Sequence, residues 1–398
     1  MKKILIIGGG FAGCVNAHAL SLTGEYEITL VEKSSELGAG VRTYFWGGHP
    51  YTFGPRHFLT KDQKLYDFFN KYIPMRDCSE HKYLTYVEGD DQFYSMPLSY
   101  DDIENMPDKK EIYKQLDDIK HEKNKAKPEN LEDFWISSIG SNLYKKVVEN
   151  YNKKMWMVND NKIFKSFSWS TKGDPIKKGK REAFDSEVIS AYPIALDGYN
   201  KYFDISVKGV KHLLLNTTVK INDLKKLEVE INGEIKKFDH IISSISPDDV
   251  VGNIFGELKY IGRDLHKIVL PMKDCFPEDI YFLYYANKEK FTRIVEYKRF
   301  TKYDSPNTLI GLEIPSKNGK FYPMPTEDEQ DKARQYHNYL PPNFHCVGRN
   351  GTYRYSVDID DCIEQAFFVA DLIKNSKWEN AVPMEKHRMK NFSSMGKQ

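Results

Sequence analysis

Lys2-Lys3-Ile4-Leu5-Ile6-Ile7-Gly8-Gly9-Gly10-Phe11-Ala12-Gly13, answered by Glu32 at the end of the next apolar run, decides the fold. The β-branched stretch 2–7 reads as a buried parallel strand. Gly8, Gly10 and Gly13 satisfy G-x-G-x-x-G. The first permits a tight turn, the second lets backbone approach a pyrophosphate, and the third lets helix and strand pack closely. Residues 14–22, rich in alanine and leucine, predict a helix whose free N–H groups point at phosphates. Residues 27–32 predict a second strand, and Glu32 at its end is placed to accept from both ribose hydroxyls. Strand, glycines, helix, strand and acid in that order make one βαβ unit. Its expected dinucleotide contacts are Gly8, Gly10, Phe11, Ala12, Gly13, Glu32 and Lys33.

A second glycine-containing turn, Gly38-Ala39-Gly40, follows the ribose acid. That habit belongs to proteins that embed FAD rather than NAD, so FAD is the expected cofactor.

Working outward, 398 residues suggest two or three domains, and 40% hydrophobic content supplies a sizeable core. Lys and Arg number 58 against 57 Asp and Glu, so no overall field attracts nucleic acid or an anionic membrane. Bound anions must be held locally, by arginines and backbone dipoles. The five cysteines are scattered and never form C-x-x-C, which argues against a disulfide framework or a zinc site; no metal is expected. No secretory h-region precedes the opening strand and no run of 18 apolar residues occurs, so the expected location is cytoplasmic and soluble.

Residues 60–74 and 142–152 read as helices, and 218–221, 227–231, 240–244 and 344–347 as strands. Segments 279–300 and 308–315 have the look of antiparallel strands, and 359–375 of an amphipathic helix. The lysine-rich runs 107–127 and 172–181 read as solvated faces and loops, and the polar tail after Lys377 as frayed. Arg293, a charge inside an apolar β run, needs a partner such as phosphate or Glu296.

The chain also resembles the UDP-galactopyranose mutase family, from Lys2 to about Ile373. The resemblance rests on an ordered set: Phe53-Gly54-Pro55-Arg56-His57-Phe58-Leu59-Thr60, Met96-Pro97-Leu98 and Pro128-Glu129-Asn130-Leu131-Glu132. It continues through Tyr151-Asn152-Lys153-Lys154-Met155-Trp156, Thr292-Arg293-Ile294-Val295-Glu296, Phe321-Tyr322-Pro323 and Gly348-Arg349 to Tyr353-Arg354-Tyr355. It implies an isomerase that interconverts pyranose and furanose forms of a nucleotide sugar for surface polysaccharide, with reduced FAD as nucleophile and an external reductant. The protein must then stabilise a departing diphosphate with fixed cations and phenols.

Residue by residue, Arg181 resembles the arginine of a mobile loop over the diphosphate, and Arg293 a second arginine reaching the phosphates. Tyr322 and Tyr355 resemble the two tyrosines that hydrogen-bond the diphosphate. Tyr151 resembles the aromatic that stacks on the pyrimidine, with Trp156 on the sugar side. Arg349 resembles the flavin-adjacent arginine and Asp358 the acid next to it, one residue out of register.

The family loop Gly-x-His-x-Phe-His-Thr is altered here: Arg56 and Leu59 replace its histidines, and Ala39 breaks the glycine pair after the ribose acid. Arg56 adds a permanent charge beside flavin or sugar, and Leu59 suits a 6-deoxy sugar. The resemblance with these changes points to dTDP-fucose or a UDP-N-acetylhexosamine rather than UDP-galactose. The alternative is an FAD-dependent amine oxidase-type oxidoreductase on the same fold; a third reading is a binding protein without chemistry. A homodimer is left open.

The expected fold is α/β: a Rossmann-like FAD domain from 1–99, 200–252 and 340–378, a helical substrate domain at 100–199, and an antiparallel sheet domain at 253–339. A lid at 165–182 would carry Arg181 over the cleft where the three meet.

Overall fold

The computed structural model describes residues 1–121, 127–165, 176–179, 181–184 and 186–376. Most of the 165–182 segment, part of each lysine-rich run, Asp185 and the tail lie outside the described residues.

Five parallel strands form the first sheet, in the order His212–Leu214, Tyr26–Val31, Lys2–Ile7, His240–Ser243, Phe344–Cys346. The opening strand is central and buried on both faces, as its unbroken apolar run requires: Ile4, Leu5 and Ile6 have no exposed surface. Helix Phe11–Thr23 begins directly on the glycine turn and packs against the last helix, Ile359–Lys374. Cys14, Val15, Ala17, Cys362, Ile363, Ala366 and Val369 share one core, so the first and last described helices are packed together.

The second sheet has seven strands, ordered Tyr322–Pro323, Tyr260–Leu270, Thr308–Ser316, Arg293–Glu296, Ile280–Tyr285, Lys82–Val87, Gln92–Ser95. Its last two strands come from the N-terminal quarter of the chain, and Ile280–Tyr285 joins Lys82–Val87 in parallel register. The sheet is therefore mixed, where periodicity alone predicts antiparallel strands. The 279–300 segment is also not continuous strand: it turns into the short buried helix Tyr297–Thr301. Glu296 starts that turn, accepting from the amides of Cys275 and Phe276 and the hydroxyl of Thr308.

Helices Lys109–His121, Leu131–Leu143 and Asn150–Trp156 form the cap over this sheet. The helix expected over 142–152 is present, but its middle, Tyr144–Glu149, is π-helical, set between the end of Leu131–Leu143, which kinks at Gly140 (φ 83°), and the start of Asn150–Trp156. The wide turn buries Tyr144, Val147 and Val148 while Lys146 reaches Asp90 and Asp108. Helix Gln63–Asn70 is shorter than the 60–74 reading because Asp62 caps it, accepting from Lys64 N. Among the described residues no helix is long and apolar enough to cross a membrane.

Candidate active site

The opening glycines build a cradle that excludes a side chain at Gly8 and Gly13 and leaves the space above Gly10 open. Gly8 has φ +97°, and a Cβ on Gly13 would lie 1.9 Å from the Gly8 carbonyl oxygen. Gly9 N donates to Glu32 Oε2 at 2.6 Å, and Ser34 N and Oγ donate to Glu32 Oε1 at 2.8 Å each. Glu32 is thereby aimed back at the turn. Gly38 N closes the second turn onto Gly9 O at 2.8 Å.

Helix Phe11–Thr23 has a glycine N-cap, no side-chain cap bond and no acid in its first turn. Other helices differ: Asp62, Ser99 and Asp358 cap theirs. An uncapped, positively polarised helix end above a glycine cradle suits a pyrophosphate, and the carboxylate at 32 suits a ribose. These residues fit a dinucleotide cofactor. Phe11 and Ala12 are buried, the Phe11 ring packing against Phe69 and Tyr202 in the core, and Lys33 is exposed.

Gly348, to which the sequence alone attaches no role, completes it. At φ +70° its Cβ would stand 2.6 Å from that of Ala12, so the Gly348–Gly351 turn presses on the helix start. Gln365 Oε1 fixes it by accepting from Gly348 N at 2.7 Å. Arg349 follows, its Nε donating to Val357 O at 3.0 Å. Asp358 turns onto its own helix, where its carboxylate accepts from Ile359 N and forms a capping box with Asp361. Arg56 lies across the second glycine turn, Nε donating to Gly40 O at 3.0 Å. Next to it His57 stacks on Phe300, and Leu59 pairs with Ser190 in a small antiparallel sheet.

From Arg349 the cluster runs outward through aromatic rings. Its guanidinium is 5.4 Å from the Tyr322 ring and 5.8 Å from that of Tyr355. The two phenol rings are 5.6 Å apart, and Trp156 meets Tyr355 edge-on at 5.1 Å. Tyr151, one turn back on the same helix as Trp156, packs edge-on against Tyr284 at 5.4 Å. The structure thus brings Arg349, Tyr322, Tyr355 and Trp156 together, with Tyr151 beside them.

Arg293 takes Glu313, not Glu296, as partner. Arg293 and Glu313 are directly opposed across antiparallel strands, whereas a residue three along a strand points to the other face. Arg181 is held elsewhere: it pairs with the buried Asp102 and donates to Ser95 Oγ.

Sequence reading missed Arg263, on strand Tyr260–Leu270. Its guanidinium lies 4.6 Å from the Tyr322 ring centre, on a residue only 8% exposed. Its visibility depends on the pairing of Ile261 with Tyr322, which no local pattern signals. A small cavity opens here, lined by residues that include Phe53, Gly54, Arg263, Glu313, Phe321 and Tyr322. Burial alone would push the Tyr322 phenol up, but the guanidinium groups of Arg56, Arg263 and Arg293 outweigh it and hold the phenol below its ordinary value. Burial pushes the Tyr151 phenol well above its own, so it stays a neutral donor. The cleft is electropositive, studded with phenols, and joined to the cofactor cradle through Gly348-Arg349.

Residues 146–355 match the sequence profile of a family described as UDP-galactopyranose mutase, and 6–72 that of an NAD(P)-binding Rossmann-like domain. The chain is 24% identical over 402 residues to a dTDP-fucopyranose mutase of Escherichia coli, an alignment covering 95% of this chain and 100% of that protein. It is 22% identical over 392 residues to a probable UDP-galactopyranose mutase of Klebsiella pneumoniae, covering 93% and 94%. Its fold is similar to a crystal structure of reduced UDP-galactopyranose mutase, with a TM-score of 0.78 at 17% identity over 94% of this chain and 95% of that one.

Proposed function

The chain belongs to the UDP-galactopyranose mutase family, and on that premise we propose that it holds FAD, works with the flavin reduced, and converts a nucleotide-diphosphate sugar between pyranose and furanose rings. It is an isomerase; the amine-oxidase alternative falls with family membership. The observation that carries the proposal is the continuity of cradle and cleft: Gly348 packs on the helix start at Ala12 while Arg349, its neighbour, faces Tyr322 and Tyr355.

In this reading Glu32 accepts the adenosine ribose hydroxyls, and the N-terminus of Phe11–Thr23 binds the cofactor pyrophosphate. Reduced flavin supplies the nucleophile that meets the anomeric carbon. The residues of this chain handle the leaving group. Arg293, Tyr322 and Tyr355 hold the substrate diphosphate, so that charge developing on it meets donors already in place. Arg349 and Arg56 stand at the flavin side, where a fixed cation stabilises a reduced, anionic ring. Tyr151 stacks on the base and Trp156 borders the sugar. Arg181 leaves Asp102 to close over the phosphates, with the reductant supplied from outside.

For the sugar we propose dTDP-fucose, with a UDP-N-acetylhexosamine as second candidate. Leu59 offers no partner to a hydroxyl and suits a methyl group, since a buried unpaired hydroxyl lowers affinity. The activity named for the Escherichia coli relative supports the same sugar. Dithionite-reduced enzyme given dTDP-fucopyranose, UDP-galactopyranose and UDP-N-acetylhexosamines tests this by chromatography of the products. The highest kcat/KM is expected on dTDP-fucopyranose. Highest activity on UDP-galactopyranose overturns the sugar assignment.

A further inference from the structure

We propose that Arg263 is an anion-binding residue of the cleft, and that on substrate arrival its guanidinium exchanges the Met155 thioether for a phosphoryl oxygen of the nucleotide diphosphate. The inference rests on the nucleotide-sugar reading above and adds to it a residue assigned no role there.

Among the described residues Arg263 has two polar partners, neither of them charged. Nη1 donates to the carbonyl of the preceding residue, Gly262, at 2.8 Å. Nη2 donates to Met155 Sδ at 2.7 Å, and a thioether is a weak acceptor. Other buried arginines of the same sheet region are matched with carboxylates: Arg293 with Glu313, and Arg299 with Glu296 and Asp274. Among the described residues no carboxylate pairs with Arg263. Glu313 lines the same cavity, but both of its oxygens accept from Arg293. A buried guanidinium with only a neighbouring carbonyl and a sulfur is costly unless a ligand supplies the missing negative charge.

Geometry favours phosphate as that ligand. The guanidinium lies over the Tyr322 ring, which leaves the donors on its edge for a planar fork of hydrogen bonds. Met155 lies between Tyr151 and Trp156 on one helix, and Tyr322 on the facing strand, so Arg263 stands where base, sugar and diphosphate contacts converge.

The test is binding of dTDP, UDP, thymidine and inorganic pyrophosphate to flavin-loaded wild type, Arg263→Gln and Arg263→Lys, by calorimetric titration. Losing a charge-assisted hydrogen bond is expected to weaken dTDP, UDP and pyrophosphate roughly ten- to hundredfold in Arg263→Gln and leave thymidine unchanged. Arg263→Lys keeps the charge but not the fork, and an intermediate loss is expected; it serves alone if Arg263→Gln does not retain flavin. Equal weakening of thymidine and dTDP would make Arg263 a structural clamp and overturn the proposal, as would unchanged diphosphate affinity in either variant. Wild type that binds neither dTDP nor UDP overturns the functional reading first, and this inference with it.

Discussion

Arg293 and Glu313 face each other across adjacent antiparallel strands and close a two-point ion pair, Nε to Oε1 at 3.1 Å and Nη2 to Oε2 at 2.6 Å. Both side chains are largely shielded from water. Removing one member leaves an uncompensated charge in the sheet, a change that costs about 3–5 kcal/mol when the pair is fully buried. Glu313→Gln is therefore expected to lower the melting temperature clearly. Thermal unfolding followed by circular dichroism checks this; an unchanged Tm would show that the pair is not what fixes Arg293.

The glycine cradle makes a sharper contrast. A methyl group on Gly13 meets the Gly8 carbonyl oxygen at 1.9 Å, while one on Gly10 meets nothing closer than Ala39 Cβ at 3.5 Å. Gly13→Ala is expected to yield misfolded or flavin-free protein. Gly10→Ala is expected to fold but to retain less FAD, because its methyl group intrudes where a pyrophosphate lies. Flavin absorbance per mole of folded protein reads both, and full FAD content in Gly13→Ala would contradict the cradle.

Arg181 is paired with Asp102, a buried member of the capping box at the start of helix Tyr100–Glu104. If it moves onto substrate, Arg181→Ala raises KM or lowers kcat, on the order of tenfold or more, while FAD content stays that of wild type. Unchanged kinetics would leave Arg181 a surface partner of Asp102 and nothing else.

How far the sequence carries can be judged on these residues. The strand Lys2–Ile7 and the glycines after it were legible because every relationship is local: turn, helix start and acid lie within one βαβ unit. Arg293, Tyr322 and Tyr355 were legible as short motifs in order. Their partners were not. Glu313, Arg263 and the parallel contact of Lys82–Val87 with Ile280–Tyr285 arise from pairing between segments far apart in the chain, and a period-2 pattern records burial without naming the neighbouring strand. The π turn Tyr144–Glu149 escaped for a related reason: its buried Tyr144, Val147 and Val148 keep the i, i+3, i+4 spacing of an ordinary helix.

Two histidines in the parallel sheet give the protein an acid-sensitive core. His240 and His345 sit on adjoining strands with Nδ1 and Nε2 3.3 Å apart. Burial pushes His240 down to about 4, with Lys2 adding to the shift, and pushes His345 down to about 3, with His240 adding. Because both folded values lie below the ordinary 6.5, the unfolded chain takes up protons first as pH falls. Their contribution to stability is full above about pH 6.5 and declines below it, by on the order of 1–3 kcal/mol on approaching pH 4. His18 and His81 are shifted in the same direction. Burial raises Asp360 to about 7 and Asp361 to about 8, so those two carboxyls contribute in the opposite direction. Urea unfolding of wild type and His345→Gln at pH 7 and pH 4.5 isolates the histidine contribution: wild type should fare worse than the variant on going to pH 4.5, and an equal change in both would contradict it.

The central claim is that a reduced flavin in the Rossmann cradle serves an arginine- and phenol-lined nucleotide-sugar cleft. Its most direct test is one assay on dTDP-fucopyranose with the purified flavoprotein, oxidised and then reduced by dithionite under nitrogen. The furanose isomer is expected to form only after reduction, with no net consumption of reductant per turnover. Equal conversion by the oxidised enzyme, or by protein stripped of flavin, would contradict the claim.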